Sequence, residues 1–310
     1  MTKNAVVTGG AGFIGSNLVE ELLIDGWKVT VFDNLHTGKP ENLKGVADRI
    51  RFINGDVRDR AALKEAFFGA DVVFHLAADI SVAGSVKNPA FTNDVNVNGT
   101  LNVLLEARGA GVKKVVFASS AAVYGNDPAL PKREDMMPRP ESPYAVSKVT
   151  GEYYCNAFFS LYGMGCVSLR FFNVYGPRQD PESQYAAVVP AFISRALSGG
   201  DLVIYGDGRQ TRDFVYVKDL ARALILSANC SASGVFNIGC GKGISVNELA
   251  RAVIEKSESR SRVVYRDARA GDVKFSYADV TRAGEALGFA VDTPLEEGIG
   301  KTIESVGNIF

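Results

Sequence analysis

The stretch TGGAGFIG (residues 8–15) decides the fold of this chain. It closes the β-rich run AVVT (5–8) and opens a segment whose apolar residues recur at helical spacing up to Gly26. One glycine permits a tight turn, another lets the backbone approach a pyrophosphate, and the last allows the helix to pack closely on the strand. N–H groups at the start of the helix then face the phosphates. We therefore predict that this turn binds a dinucleotide through Gly9, Gly12, Phe13, Ile14 and Gly15.

Outward from this turn, short β-rich runs alternate with helical patterns. The runs stand at 29–32, 50–53, 72–75, 114–117, 167–170 and 235–238. This alternation is typical of right-handed crossovers and of a parallel sheet covered on both faces. We predict an α/β, Rossmann-type, doubly wound parallel sheet of about seven strands with a smaller C-terminal substrate lobe. The predicted dinucleotide-binding domain comprises residues 1–172 and 213–242, and the predicted lobe comprises residues 173–212 and 243–310.

The carboxyl ends of the following strands supply the rest of the predicted cofactor site. Asp33 ends the second strand, where a carboxylate accepts hydrogen bonds from a ribose diol and repels a 2′-phosphate, so NAD is expected rather than NADP. An Asp that only initiates a turn before the next residue is the alternative. The other contacts predicted at these ends are Asn34, Asp56, Val57, Leu76, Ala77 and Ala78. His75, a lone histidine that closes a strand, is interpreted as a hydrogen-bonded spacer.

A second motif, ESPYAVSK (141–148), carries the predicted chemistry. Ser142 is a good N-cap and Pro143 a good first helical residue, so a helix begins here. Tyr144 and Lys148 are four residues apart and share one face of it. A nearby ammonium and a helix N-terminus both favour a phenolate, so we expect a lowered pKa and predict that Tyr144 accepts a proton. A chance Tyr/Lys pair on an amphipathic helix is the alternative, which the preceding dinucleotide site disfavours.

Nine motifs occur in order over nearly the whole chain: TGGAGFIG, DNLHTG, GDVRD, HLAA, NVNGT, SSAAVYG, SPYAVSK, RFFNVYGPR and RAGDVKFSYAD. Together they resemble the extended short-chain dehydrogenase/reductase family, and most closely its UDP-sugar 4-epimerase branch. The resemblance implies an isomerase that uses bound NAD to epimerise a UDP-hexose at C4 through a transient 4-keto sugar. The implied substrates are UDP-glucose and UDP-galactose, together with UDP-N-acetylglucosamine and UDP-N-acetylgalactosamine.

The resemblance also implies roles for individual residues. Tyr144 would exchange a proton with the sugar 4-hydroxyl, while Lys148 would hold the nicotinamide ribose and tune the tyrosine. Ser120 would hydrogen-bond the same sugar oxygen and relay the proton. Asn96 would lie near the cofactor and the catalytic helix, and Ser119 would contact the cofactor.

On the substrate side, the matching motifs place Asn173, Arg212, Arg269 and Asp272 around the nucleotide diphosphate. Arginine suits this task because its forked donors are permanently charged, although both arginines could instead be solvated surface residues. Ser276 matches a gatekeeper position at which a tyrosine would leave no room for a 2-N-acetyl group. A slip of one residue, with the neighbouring tyrosine filling the gap, is the alternative.

Some features of the sequence depart from relatives or leave other functions open. Ile80 stands where some relatives carry a lysine on the cofactor phosphates, which argues against very tight retention of NAD. Ala121 and Ala122 stand where 4,6-dehydratases and decarboxylases carry acidic residues, and methyl groups cannot transfer protons. A UDP-glucuronate 4-epimerase, another nucleotide-sugar-modifying enzyme of this family and a non-catalytic NAD-binding protein stay open as alternatives.

Composition narrows the remaining function classes. The chain has 310 residues, of which 46% are hydrophobic and 22% charged, and a formal net charge of −1. Such a balance favours neither a nucleic-acid partner nor an anionic membrane surface. Two histidines and four widely spaced cysteines predict no metal site and reduced thiols. The chain starts without a signal-peptide pattern and contains no apolar run of about 18 residues, so we expect a cytoplasmic protein.

Two predicted helices, near 97–109 and 144–162, are apolar over much of their surfaces. Their apolar residues are Val97, Leu101, Val103, Leu104 and Leu105 on the first, and Tyr153, Tyr154, Phe158, Phe159 and Leu161 on the second. One sheet face cannot bury both helices completely. Because relatives pair these helices across a two-fold axis, the resemblance implies a homodimer.

Overall fold

The computed structural model describes residues 2–181, 187–268 and 274–307. Within them the strands are β1 (Asn4–Thr8), β2 (Lys28–Asp33), β3 (Ile50–Asn54), β4 (Val72–His75), β5 (Lys114–Ser120), β6 (Gly165–Phe171), β7 (Asn173–Tyr175), β8 (Leu202–Tyr205), β9 (Thr211–Arg212), β10 (Phe214–Tyr216), β11 (Gly234–Ile238), β12 (Ile244–Ser245) and β13 (Val263–Arg266). The α-helices are α1 (Phe13–Ile24), α2 (Arg60–Ala66), α3 (Val82–Lys87), α4 (Pro89–Asn93), α5 (Gly99–Gly109), α6 (Pro143–Tyr162), α7 (Val188–Leu197), α8 (Val217–Asn229), α9 (Val246–Lys256), α10 (Thr281–Leu287) and α11 (Leu295–Gly307).

Seven of these strands form one parallel sheet in the order β11-β6-β5-β4-β1-β2-β3. The strand order reverses direction between β1 and β4, as in a doubly wound sheet. Each of the seven predicted β-rich runs lies within one of these strands. The predicted fold class is therefore confirmed.

Apolar residues cover both faces of the sheet. One core lies between the strands, α1 and α8, and the other lies between the strands, α2, α5 and α6. All four residues of β4 are buried, as expected for a central parallel strand with helices on both sides. Helix α5 contributes buried Val103 and Leu104 to the second core, with Leu101 and Leu105 half-buried beside them.

A third core belongs to the smaller lobe and consists of residues from α7, α9, α11, β8 and their neighbours. Packing crosses the predicted domain boundaries in two places. Phe214 and Tyr216 of β10 pack into the core of the lobe. Ala283, Leu287 and Phe289, on and just after α10, pack instead into the core of the main sheet. The predicted division of the chain into these two domains stays a prediction.

His75 is buried at the end of β4, with both ring nitrogens close to threonine hydroxyls. Nδ1 lies 2.8 Å from Oγ1 of Thr8, and Nε2 lies 3.0 Å from Oγ1 of Thr100. Burial lowers the pKa of His75 to about 3, so the ring is neutral. The Thr100 hydroxyl donates to the carbonyl of Asn96, so it accepts the Nε2 proton. The interpretation of His75 as a hydrogen-bonded spacer is confirmed.

The described residues contain neither a membrane-spanning helix nor a cluster of metal-ligating side chains. None of their helices is long and apolar enough to cross a membrane. No three His, Cys, Asp or Glu side chains among the same residues are grouped so that they could hold a metal ion.

Candidate active site

The glycine-rich turn brings β1, α1 and the end of β4 into close contact. A Cβ atom at Gly15 would lie 2.1 Å from the carbonyl oxygen of Gly9, so only glycine allows the helix to start this close to the turn. Gly9 has φ +73°, and a Cβ there would lie 2.7 Å from the amide nitrogen of Ala77. Gly12 is the N-cap of α1 and has no side chain that could cap the first N–H groups. These groups fit a pyrophosphate at the start of the helix.

Asp33 is buried at the carboxyl end of β2, beside this turn. Its Oδ2 accepts a hydrogen bond from the Ala11 amide at 2.9 Å, and its Oδ1 accepts one from the Leu35 amide at 2.8 Å. The second bond is the local turn named above as the alternative role. Each carboxylate oxygen keeps a further acceptor site, so the turn and a ribose contact are compatible. The preference for NAD over NADP stays a prediction.

The other predicted cofactor residues surround the same edge of the sheet. The Asn34 amide donates to Asp56 at 2.8 Å, and the hydrogen-bonded ion pair with Arg58 holds the pKa of Asp56 well below its usual range. Val57 is buried against Gly99, where a Cβ would lie 2.6 Å from its methyl group.

Three half-buried residues line the end of β4, namely Leu76, Ala77 and Ala78. Phe13 and Ile14 are partly buried against the core of the lobe, and Ile80 is exposed.

Two serines hold the N-terminus of α6. The Ser142 hydroxyl accepts a hydrogen bond from the Ala145 amide at 3.1 Å, which confirms the predicted cap. The hydroxyl of Ser85, on α3, accepts one from the Tyr144 amide, also at 3.1 Å. Ser85 is fully buried and escaped the sequence analysis because no local pattern links it to a helix 59 residues later. Together the two serines hold the backbone of the first helical turn, and with it the position of Tyr144.

Tyr144 and Lys148 lie on one face of α6, close to the end of β5. Nζ of Lys148 is 5.6 Å from the centre of the Tyr144 ring and donates to the carbonyl of Ala118 at 2.9 Å. The side chain of Ser120 stands beside the Tyr144 hydroxyl and favours its ionised form. Tyrosine, lysine and serine are therefore brought together as predicted.

The predicted lowering of the Tyr144 pKa is wrong for the protein chain by itself. Desolvation of the phenol raises the pKa of Tyr144 above its ordinary value of 10, and the neighbouring Ser120 side chain offsets this only in part. The ammonium of Lys148 is directed to the Ala118 carbonyl and not to the phenol oxygen. Burial also lowers the pKa of Lys148 to about 8. The negative charge of Asp79 disfavours the phenolate further.

Asn96 supports α6 from a π-helical turn at 94–98, a local distortion that is frequent at functional sites. Its side-chain amide donates to the hydroxyl of Ser147 at 3.0 Å and to the carbonyl of Asp79 at 2.9 Å. Its Oδ1 accepts from the Asp79 amide at 2.7 Å. The Ser147 hydroxyl donates in turn to the carbonyl of Tyr144 at 2.7 Å. Asn96 thus joins the segment after β4 to the first turn of α6.

Ser119 and Ser120 point to opposite sides of β5, since side chains alternate along a strand. Ser120 is half-buried beside Tyr144. The hydroxyl of Ser119 donates to Glu152 at 2.5 Å and is buried between β5 and α6. Any contact of Ser119 with the cofactor would therefore involve its backbone.

A cavity of about 430 Å³ opens beside Ser120. The residues that line it include Ser120, Ala121, Ala122, Asn173, Arg212 and Ser276. Three of the predicted substrate residues, Asn173, Arg212 and Ser276, thus share one cavity with Ser120, the serine that is predicted to be catalytic. Arg269 and Asp272, the other two, lie outside the described residues. The ring of Tyr277 lies against Gly243, where a Cβ would be 3.4 Å from it.

Asp213 connects backbone segments beside this cavity through hydrogen bonds. The sequence analysis did not identify it. Its buried carboxylate accepts hydrogen bonds from the amides of Cys240, Gly241 and Ala278, at 2.6, 3.0 and 3.0 Å. Burial raises its pKa to about 6, although the three donors oppose this. Asp213 thereby fixes the segment that carries Ser276 next to the strand that carries Arg212.

Comparisons with known proteins agree with this geometry. The model of the NAD dependent epimerase/dehydratase family matches residues 5–239. A UDP-glucose 4-epimerase of Mycolicibacterium smegmatis is 43% identical, with 98% of each chain covered. A solved UDP-N-acetylglucosamine 4-epimerase of Methanobrevibacter ruminantium, in complex with UDP-N-acetylmuramic acid, is 44% identical, with a TM-score of 0.96 over 100% of this chain and 99% of that one. A solved UDP-glucose 4-epimerase of Thermus thermophilus, in complex with NAD, is 40% identical, with a TM-score of 0.90 over 99% and 100%.

The chain therefore belongs to the NAD-dependent epimerase/dehydratase family, within the extended short-chain dehydrogenase/reductases. It is an NAD-dependent enzyme, and the glycine turn, Asp33 and the end of β4 form a cradle that fits this cofactor.

Proposed function

We propose that this chain is a UDP-sugar 4-epimerase that interconverts UDP-glucose and UDP-galactose through a transient 4-keto sugar. The observation that carries the proposal is that Ser120, which stands beside Tyr144 and Lys148, lines a cavity whose wall also includes Arg212. A sugar 4-hydroxyl placed between the phenol and the serine hydroxyl can lose its proton to Tyr144. Arg212 then lies on the side from which a diphosphate would enter, and its guanidinium suits phosphate oxygens.

In the proposed reaction the proton and the hydride leave the sugar separately. NAD, when bound, supplies the acceptor and later the donor of the C4 hydride. Tyr144 takes the hydroxyl proton, Ser120 holds the C4 oxygen, and Tyr144 returns the proton after the keto-sugar has presented its other face. Because the chain alone raises the pKa of Tyr144, the phenolate needs stabilisation from what binds beside it.

The wall next to Ser120 supports epimerisation over dehydration. Ala121 and Ala122 line the cavity directly after the serine, and neither methyl group can donate or accept a proton. Elimination across C5 and C6 needs such a group there, whereas epimerisation at C4 needs only the tyrosine and the serine.

Tyr144→Phe removes the proton acceptor and keeps the ring. We expect kcat for conversion of UDP-galactose to fall by at least about 100-fold, the usual contribution of general acid–base catalysis. NMR of the sugar anomeric protons measures the conversion, and circular dichroism and NAD content monitor the fold. Tyr153→Phe, which changes an exposed tyrosine of the same helix, is the control and should retain wild-type kcat. A loss of less than tenfold in Tyr144→Phe would reject the assignment.

We also propose that the cavity accepts UDP-N-acetylglucosamine and UDP-N-acetylgalactosamine. Ser276 lines the cavity, whereas the ring of Tyr277 lies against Gly243, which argues against the one-residue slip. A serine side chain leaves room for a 2-N-acetyl group and offers a hydroxyl to it. The backbone of Ser276 is held by a hydrogen bond from its amide to the carbonyl of Thr211 at 3.2 Å.

Ser276→Tyr should abolish turnover of the N-acetyl sugars by steric exclusion while kcat/KM for UDP-galactose stays within about threefold of wild type. Ser276→Ala keeps the space and serves as the control, so it should convert both classes of sugar. Both substrates are assayed by NMR at saturating concentration. Wild-type protein that converts UDP-galactose but leaves UDP-N-acetylglucosamine unchanged would show that Ser276 does not set this specificity.

A homodimer is the third proposal, supported by one face of α6. Val146, Tyr153 and Leu161 are exposed by 48%, 62% and 71% and form a stripe with Thr150 and Ala157 along the helix. A second copy of the same helix can cover this stripe.

Light scattering at micromolar concentration should give the mass of two chains. Tyr153→Glu places a charge in the stripe, so its measured mass should be that of one chain. Ile24→Glu changes an exposed residue on α1 and is the control, so its mass should still be that of two chains. A monomeric wild type would refute the dimer.

A further inference from the structure

Glu152 continues the catalytic stripe of α6 by one more helical turn. Tyr144, Lys148 and Glu152 follow one another at intervals of four residues, so all three lie on the same face. Glu152 is 3% exposed and forms a two-pronged ion pair with Arg170 of β6, which is also 3% exposed. Nε of Arg170 donates to Oε1 at 2.9 Å, and Nη2 donates to Oε2 at 2.7 Å. Such a pair fixes orientation as well as distance.

The ion pair connects α6 to both strands beneath it. Ser119 of β5 donates to Glu152 at 2.5 Å and is the direct neighbour of Ser120. Ser119 and Arg170 are also paired residues in the ladder between β5 and β6. The guanidinium of Arg170 lies 4.8 Å from the centre of the Tyr124 ring, whose hydroxyl donates to Asn237 of β11 at 2.7 Å. The contact thus reaches across three adjacent strands.

The helix also packs tightly on β5 at Gly151, the residue directly before Glu152. A Cβ at Gly151 would lie 2.4 Å from the Phe117 ring, so α6 is packed on this ring with no spare room. On the β6 side the packing is looser, because a cavity of about 530 Å³ borders Glu152 and Arg170. The ion pair therefore joins α6 to β6 at the border of this cavity.

We infer that Glu152 and Arg170 are positioning residues that set the rotation of α6, and through it the placement of Tyr144 and Lys148 against Ser120. This inference rests on the proposed 4-epimerisation for its kinetic test. A small rotation about the helix axis moves the phenol away from the serine hydroxyl, and misplacement by about 1 Å can cost about 100-fold in rate. Binding of the nucleotide part of the substrate, which involves the lobe, is unaffected.

Glu152→Gln keeps the shape and removes the charge. We expect kcat for UDP-galactose to fall at least about tenfold with KM changed less than about twofold, because only the reacting geometry is lost. The control is Lys114→Met, which removes another buried charge of β5, one that is bonded to backbone carbonyls at the end of α8. It should lower the unfolding midpoint and leave kcat unchanged. Equal kcat losses in the two variants would overturn the inference.

Two further variants decide the question if Glu152→Gln does not fold. Ser119→Ala removes one hydrogen bond to Glu152 without leaving a buried charge unpaired, and should lower kcat about threefold at unchanged KM. The double variant Glu152→Leu with Arg170→Leu removes both charges, so its unfolding midpoint should approach that of wild type while kcat stays low. Full recovery of kcat in the double variant, or an unchanged kcat in Ser119→Ala, would show that the pair serves stability alone.

NAD affinity separates this inference from the proposed function. If wild-type protein binds NAD but converts no UDP-sugar, the proposed function fails. The positioning role is then tested by the dissociation constant for NAD, since Lys148 moves with the helix. Glu152→Gln should bind NAD at least about fivefold more weakly than wild type and Lys114→Met, and equal affinities would contradict the role.

Discussion

The seating of α6 on β5 is the constraint on which the rest of the site depends. Lys148 is buried, and a buried ammonium is stable only if its protons find acceptors. The carbonyl of Ala118 on β5 is such an acceptor, at 2.9 Å. Because the lysine cannot leave this carbonyl without a large cost, the height of the helix on the strand is fixed at one point. The phenol four residues earlier is then placed at the end of the same strand, where Ser120 stands.

Other parts of the fold act on this placement from different sides. Ser85 and Ser142 hold the first turn of α6, and Asn96 joins that turn to the segment after β4. On the opposite side Asp213 fixes the segment that carries Ser276 beside Arg212. The glycine-rich turn, the first turn of α6 and the lobe therefore meet at the carboxyl ends of the parallel strands. This is the edge at which open α/β sheets bind ligands.

Much of this could be predicted because the signals are local. The glycine turn, the β-rich runs and the Ser142 cap each follow from a few adjacent residues whose backbone preferences determine the structure. Ser85 and Asp213 could not be predicted, because their roles come from backbone groups that are distant in sequence. The pKa of Tyr144 was predicted in the wrong direction, since the spacing to Lys148 does not reveal where the ammonium points or how much water is excluded. The spacing of Glu152 was visible, but its partner Arg170 was not.

The fate of the hydrogen at C4 tests the central claim most directly. UDP-galactose that carries deuterium at C4 is converted in ordinary water, and the product is analysed by NMR and mass spectrometry. If the hydrogen leaves as hydride to a cofactor that stays bound and returns to the same carbon, UDP-glucose retains the deuterium at C4. Replacement of the deuterium by hydrogen from water would mean that C4 is deprotonated instead, and would contradict the account.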